Sequence, residues 1–273
     1  METKIQRINS LLKGKKVIVA FSGGVDSTVI ALLAKEIAEE VICCTFYEPL
    51  YLKDDILEAK KIAAVINIEW VKINITDIPD QFFNNNPKNR CYICKKILMK
   101  HLITFMKKKK YDLIIDGTNF DDLNEYRPGI KALKELDIKS PLAIAKITKK
   151  EVRTIALNYK LNVANKPSNT CLLSRIPYNE KITLKKLDMI KKSEKFLKKL
   201  LQINIVRVRH HEIKNNIHLA RIEVKKENLN NIFYQKSGII QKITTQLEIF
   251  GYNYITLDLL GYRTGSMDES LSE

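Results

Sequence analysis

The sequence contains no apolar run of the roughly 18 to 20 residues that a helix needs to cross a bilayer, which excludes a helical membrane span. Behind the charged start METKIQRINSLLKGKK there is no apolar core of about 7 to 15 residues, so the reading is not that of a signal peptide. A cytoplasmic protein is the expectation. Internal repeats and low-complexity tracts are also absent. Acidic residues are in short supply: 31 Asp and Glu face 47 Lys and Arg, for a net charge of +16. That excess does not make nucleic acid the favoured partner. It is mostly lysine, in a chain equally rich in Ile and Asn, and all three have AT-rich codons. The run Lys107–Lys110 sits at the polar end of a helical pattern and reads as solvated. A phosphate-rich small substrate would suit a basic cleft equally well. Five cysteines in a chain expected to meet a reducing compartment point to metal or redox chemistry and away from a disulfide framework.

With 273 residues there is room for a large α/β domain and a smaller one. The most informative stretch is Val17–Ser27, VIVAFSGGVDS. An apolar strand runs into Ser22, Gly23 and Gly24, and a helix starts near Asp26 and Ser27. Glycines let the backbone approach phosphate oxygens, and the helix N-terminus favours negative charge. No lysine follows the glycines, so this is not the GxxxxGK[ST] loop. The pattern continues as strand 41–47, helix 53–66, strand 69–75, helix 91–107 and strand 111–116, after a short leading helix over 4–12. Both faces of the strands are apolar. This predicts a doubly wound parallel sheet, with ligands at the carboxyl ends of its strands. Residues 77–90 read as polar and irregular. Thr148 and Glu151 form a capping box that opens a helix over 149–160. The boundary is expected between Pro167 and Pro177, giving domains 1–170 and 171–273. The second part reads as a helix over 183–201, strands over 205–211 and 218–224 with a loop between them, a helical stretch over 227–249 and a strand over 254–260. That is a smaller α+β unit.

Three further constellations carry chemistry. GTNFDDLNEYRPG (117–129) follows a strand. Its glycine and small polar groups suit ribose and phosphate, and Asp121 and Asp122 suit either Mg²⁺ or the cap of the next helix. Cys91 and Cys94 form CYIC at a helix start, and Cys171 stands between two prolines. Three thiolates with no fourth ligand in sight suit a [4Fe-4S] cluster with an open iron better than structural zinc. A persulfide or redox pair and an inert set of thiols are the other readings. Cys43 and Cys44 lie in a buried strand and read as core. In VRVRHH, Arg207 and Arg209 alternate and so share a face. There they either grip a phosphate or carboxylate or form a solvated strand face. His210 and His211 point oppositely and cannot both bind one ion.

SGGVDS, GTNFDDLNEYRPG, CLLSRIPY, VRVRHH, LARIEV and GYRTGSM occur in this order along nearly the whole chain. Together they resemble the LarE family of ATP-dependent sulfur transferases, within the PP-loop ATP pyrophosphatases. The resemblance implies a PP-loop domain joined to a smaller domain for substrate binding and oligomerisation, in a homo-oligomer. It implies ATP held by Ser22, Gly23, Gly24, Asp26 and Ser27, with Gly117, Asn119 and Asp122 completing the nucleotide site and Mg²⁺ assisting. Cys171 takes the position of the sulfur-bearing cysteine and, with Asp26, is the catalytic candidate. Ser174, Arg175, Glu194, Arg207, Arg209 and Glu223 would line the substrate site, with the two strand arginines on its phosphate. The extra Cys91 and Cys94 match a branch that uses a [4Fe-4S] cluster held by Cys91, Cys94 and Cys171, recharged by sulfide or another sulfur donor. The implied reaction adenylates a carboxylate of pyridinium-3,5-biscarboxylic acid mononucleotide or a similar nucleotide and releases pyrophosphate. Sulfide then displaces AMP. The alternative function is that of a PP-loop iron-sulfur tRNA thiolase, against which stands the lack of an RNA-binding module with stacking aromatics. An ammonia-using amide synthetase would not need three cysteines.

Overall fold

Successive residues of the first strand pack into opposite cores, and this sets the layering of the N-terminal part. In the computed structural model, which describes residues 1–47, 53–75, 77–125, 127–166, 171–214, 216–230 and 238–269, β1 (Lys16–Ala20) sends Val17 and Val19 to one side. Ile18 goes to the other. On the first side lie α1 (Glu2–Leu12), α2 (Val25–Ile37) and α8 (Lys149–Asn158), through Leu12, Val29 and Val152. On the second lie α5 (Arg90–Lys109) and α6 (Pro128–Glu135), through Leu98, Met99, Leu102 and Leu133. Helices cover both faces, so Val17, Ile18 and Val19 are apolar in succession.

The sheet order is β3-β2-β1-β4, formed by β2 (Glu40–Tyr47), β3 (Glu69–Asn74) and β4 (Leu113–Ile115) around β1, and all the pairings are parallel. After β3 the chain returns past β1 to place β4 on its other side. The carboxyl ends of β1 and β4 thus flank the point where the strand order reverses, the place where open α/β sheets bind ligands. Cys43 and Cys44 in β2 are fully buried, one in each core. Burial pushes the Cys44 thiol up to about 12 and the Cys43 thiol up as well, so neither is available as a thiolate.

The chain divides into two compact units, Met1–Ile78 with Asn89–Asn169, and Pro79–Lys88 with Thr170–Glu273. Residues 167–170, at which the sequence reading divides the chain, lie outside the described residues. In the second unit, α9 (Leu184–Leu201) and α10 (Ile239–Ile249) pack on one face of a sheet ordered β5-β6-β7. Here β5 (Val206–Lys214) pairs antiparallel with β6 (Ile217–Val224), and β6 pairs parallel with β7 (Tyr254–Leu257). Val206, Val208, Ala220, Ile222 and Val224 face that core.

Several elements differ from the sequence reading. The stretch 77–90 is not wholly irregular: it holds α4 (Asp80–Asn85), closed by Asn86 in the left-handed region at φ 37°. Its asparagines and proline look like a turn, yet Asn86 is buried, and its Nδ2 donates to the Pro177 carbonyl at 2.6 Å. The loop read over 212–217 is mostly strand, because β5 runs on to Lys214 and β6 starts at Ile217. β7 stops at Leu257 rather than 260, where the Asp258 carboxylate accepts from Leu260 N and closes a turn. The stretch read as helix over 227–249 is helical at Ile239–Ile249, and residues 231–237 lie outside the described residues. Two short helices went unread, α6 and α7 (Pro141–Ile144), each opening on a proline in its first turn. Among the described residues no helix is long and apolar enough to cross a membrane.

Candidate active site

The turn after β1 is organised by its own hydroxyls. Ser27 Oγ donates to the Gly24 carbonyl at 3.1 Å and lies 3.1 Å from Ser22 Oγ, which accepts from Gly24 N at 3.3 Å. Thr28 Oγ1 also donates to the Gly24 carbonyl, at 2.8 Å. Gly23 has φ +69°, and a Cβ there would lie 2.9 Å from the Cα of Ala59 in α3 (Lys53–Val65). Backbone conformation and packing both demand glycine. Gly24 caps α2, so the turn opens directly onto a helix N-terminus. Short polar groups, backbone amides and a helix dipole converge there, the ingredients of a phosphate site.

The segment after β4 leans on the same helix end. A Cβ on Gly117 would sit 2.7 Å from Ser27 N, so glycine is fixed here by the close approach of two backbones. Asp116 holds the next turns, accepting from Thr118 Oγ1 at 2.7 Å and Ser140 Oγ at 2.6 Å. Asn119 is buried: its Nδ2 donates to Asp26 Oδ1 at 3.1 Å, and its Oδ1 accepts from the amides of Asp121 and Asp122. Asp122 accepts from Asn119 N at 3.0 Å and pairs with Arg127 at 2.8 Å. Burial, foremost, holds its carboxyl above the usual carboxylate range. Asp121 accepts from Lys149 N at 2.8 Å, so it caps α8, not the helix that follows it. Asp26, Asn119 and Asp122 are thus one connected set with Ser22, Gly23, Gly24, Ser27 and Gly117 around it. The sequence reading missed Lys149, whose Nζ pairs with Asp26 Oδ2. No local signal marks it, because its partner lies 123 residues away in the chain.

The cysteines divide between the units. Cys91 is exposed and Cys94 half-buried in the first turn of α5, and Cys171 in the second unit is exposed. Among the described residues, no group of three or more His, Cys, Asp or Glu side chains is arranged to hold a metal ion.

The opposite face of the second sheet is charged and covered, so its arginines do not form a solvated strand face. Arg175, Arg207 and Arg209 are all buried. Arg175 Nε donates to Glu194 Oε1 at 2.8 Å, and its Nη1 donates to the Cys171 carbonyl at 3.1 Å and to Ser174 Oγ at 2.9 Å. The backbone at Cys171 is therefore fixed while the residue itself is exposed. Arg209 donates through Nε and Nη2 to Glu223 Oε2 at 2.9 and 2.7 Å, and through Nη1 to the Ser174 carbonyl at 3.2 Å. Arg221 and Ser266 Oγ engage the other Glu223 oxygen at 3.1 and 2.7 Å. Arg207 lies over the Tyr262 ring at 5.5 Å. Burial, and next the Arg175 guanidinium, push its pKa below the ordinary arginine value. Arg175, Glu194, Arg207, Arg209 and Glu223 therefore belong to one buried set in which positive charge exceeds negative, with the half-buried Ser174 at its edge. His211 faces the same side through Arg221, whereas His210 turns into the core beside Tyr252 and His218.

The chain is similar in sequence to known proteins. An uncharacterised protein of Synechocystis sp. is 35% identical over 275 residues, spanning all of both chains. Pyridinium-3,5-bisthiocarboxylic acid mononucleotide synthase of Lactiplantibacillus plantarum is 29% identical over 276 residues, all of this chain and 96% of that protein. A tRNA-specific 2-thiouridylase of Caldicellulosiruptor saccharolyticus is 29% identical over 205 residues, 57% of this chain and 54% of its own length. The NAD synthase family model matches residues 2–229, a span that takes in the glycine turn, the Asp26–Asn119–Asp122 set and the buried arginines. The chain belongs to the NAD synthase family of PP-loop proteins.

Proposed function

We infer that this protein is an ATP-dependent sulfur transferase that activates a carboxylate of a small nucleotide as its adenylate and converts it to a thiocarboxylate. One observation carries the reading. The similarity to the mononucleotide synthase runs the length of the chain and so includes the buried arginine set of the second unit, whereas the similarity to the tRNA thiouridylase covers 57% of it.

The division of labour follows residues 1–170 and 171–273. In the first, the turn Ser22–Gly24 and the N-terminus of α2 hold the phosphates of ATP and stabilise the departing pyrophosphate. Asn119 and Lys149 fix the Asp26 carboxylate beside them. Mg²⁺ bound mainly by phosphate oxygens needs only one or two carboxylates, which Asp26 and Asp122 can provide. In the second, Arg207 and Arg209 bind the substrate phosphate, while Glu194 and Glu223 keep Arg175 and Arg209 aligned. A substrate carboxylate oxygen attacks the α-phosphorus and pyrophosphate leaves. A sulfide nucleophile then attacks the acyl carbon, and AMP leaves with the bonding electron pair.

Cys91, Cys94 and Cys171 are the sulfur-handling residues of this reading. Two thiols three positions apart on one helical turn fit two ligands of a single centre, and the exposed Cys171 suits a third. A [4Fe-4S] cluster bound there would supply sulfide from an open iron. The test is anaerobic reconstitution with iron and sulfide. About four irons and four sulfides per chain are expected, falling on substitution of any of the three by Ala, with ATP binding kept. Turnover that survives loss of Cys91 and Cys94, with Cys171 ending as dehydroalanine, makes the chain a sacrificial donor instead. The same reading expects copies of the chain to associate, which light scattering measures. The tRNA reading draws on the partial similarity and the charge of +16. Tight tRNA binding at about 150 mM salt, at the strength of a specific complex, would favour it.

A further inference from the structure

We propose that Thr45 and Trp70 are positioning residues for the nucleotide turn: a hydrogen-bond relay from the indole through the threonine hydroxyl fixes the carbonyl that enters the turn. The proposal rests on the ATP-binding part of the function above. The ladder between β1 and β2 ends at Ala20 and Cys44. Phe21 follows, its N–H donating to the Cys44 carbonyl at 2.8 Å. Its own carbonyl lies past the last paired residues and directly before Ser22. Thr45 Oγ1 donates to that carbonyl at 2.8 Å, and Trp70 Nε1 donates to Thr45 Oγ1 at 2.8 Å. The indole donation takes up a lone pair of the hydroxyl and leaves its proton for the carbonyl, so the relay has one direction.

The same wall holds the turn a second time. Thr45 and Trp70 lie on the sheet face covered by α3, which also supplies Ala59 against Gly23. Lys60, next along α3, stands over the Trp70 ring at 5.8 Å. Phe21, two residues before the first glycine, and Gly23 itself are therefore both pinned to β2, β3 and α3. A phosphate site built from backbone amides needs such support, because it has no long side chain to adjust its geometry. Thr45 is buried, so its hydroxyl has no solvent role to explain it. A valine would fill the same volume.

Trp70 is the sole tryptophan of the chain, so its fluorescence reports on this wall alone. In the full-length protein, Thr45→Val should weaken binding of Mg·ATP and of pyrophosphate about tenfold, as loss of one buried hydrogen bond predicts, while Thr45→Ser should stay within about twofold. Trp70→Phe should weaken it about threefold, since the threonine bond survives without its fixed direction. Mg·ATP should shift the tryptophan emission of the wild type and of Thr45→Ser, but not of Thr45→Val. Calorimetric binding and thermal unfolding of each variant separate a binding effect from a folding one. If Thr45→Val does not fold, Thr45→Ser and Trp70→Phe decide alone. Unchanged binding in Thr45→Val or Trp70→Phe, or an equal loss in Thr45→Ser and Thr45→Val, overturns the relay. Wild-type protein that binds neither ATP nor pyrophosphate overturns both the relay and the proposed function.

Discussion

In the first unit the proposed anion site is made of backbone, glycine and small hydroxyls, and its close charge pairs, Asp26 with Lys149 and Asp122 with Arg127, are partly open to solvent. In the second it is made of guanidinium groups shut in with carboxylates, and Glu223 is wholly buried. The contrast separates two physical currencies. Shape governs the first site: a misplaced methyl group harms it and a lost charge does little to its fold. Charge balance governs the second, because a buried ion stripped of its partner carries its full desolvation cost.

The largest effect should come from Glu223→Gln, which strips the buried Arg209 of its neutralising charge. We expect a loss of about 3–5 kcal/mol, read by hydrogen exchange in β5 and β6, since the two units need not unfold together. A loss below about 1 kcal/mol would erase the distinction between the sites.

Acid should come next and should fall on the second unit. Burial, with help from His218, depresses His210 to about 3. Burial also lowers His211 and His218. The unfolded chain then binds protons that the folded unit refuses, so stability is full above about pH 6.5 and falls as pH drops from there toward 3. The slope from His210 approaches 1.4 kcal/mol per pH unit in mid-window. His210→Phe should flatten it, and an unchanged slope would show that the histidine is hydrated.

Gly117→Ala should cost about 1–3 kcal/mol by forcing two backbones apart, and should abolish ATP binding. Retained binding at normal affinity would show that α2 can shift. The smallest stability change belongs to Asp26→Asn, within about 0.5 kcal/mol because the pair it breaks is partly exposed. Release of AMP and pyrophosphate should nonetheless fall about 100-fold or more. Release of ADP and phosphate by the wild type would refute the assignment of the turn.

The parallel sheet and the glycine turn were legible because both rest on local signals: apolar runs flanked by glycine, then a helix start. The capping box at Thr148 and Glu151 was legible for the same reason and is present. What the sequence hid depends on partners far along the chain. Nothing near Lys149 announces Asp26, 123 residues away. The alternation of Arg207 and Arg209 put them on one face, but only the covering residues Ser174, Tyr262 and Ser266 make that face an interior. Gly117 was read with the small polar groups that suit ribose and phosphate, and nothing in the sequence marked the close approach of α2, which leaves no space for a Cβ there.

The placing of residues 79–88 with the second unit has a consequence for synthesis on the ribosome. Asn86 bonds to Pro177 and accepts from Asn179 N, and the Phe83 carbonyl accepts from Ile182 N. These partners are made roughly 90 to 100 residues later, a wait of about 5–20 s at ordinary elongation rates. During that interval the short segment with its two phenylalanines is an unfinished edge. A nascent chain stalled before Pro177 should therefore be cut by protease at 79–88, and one that has cleared the ribosome should not.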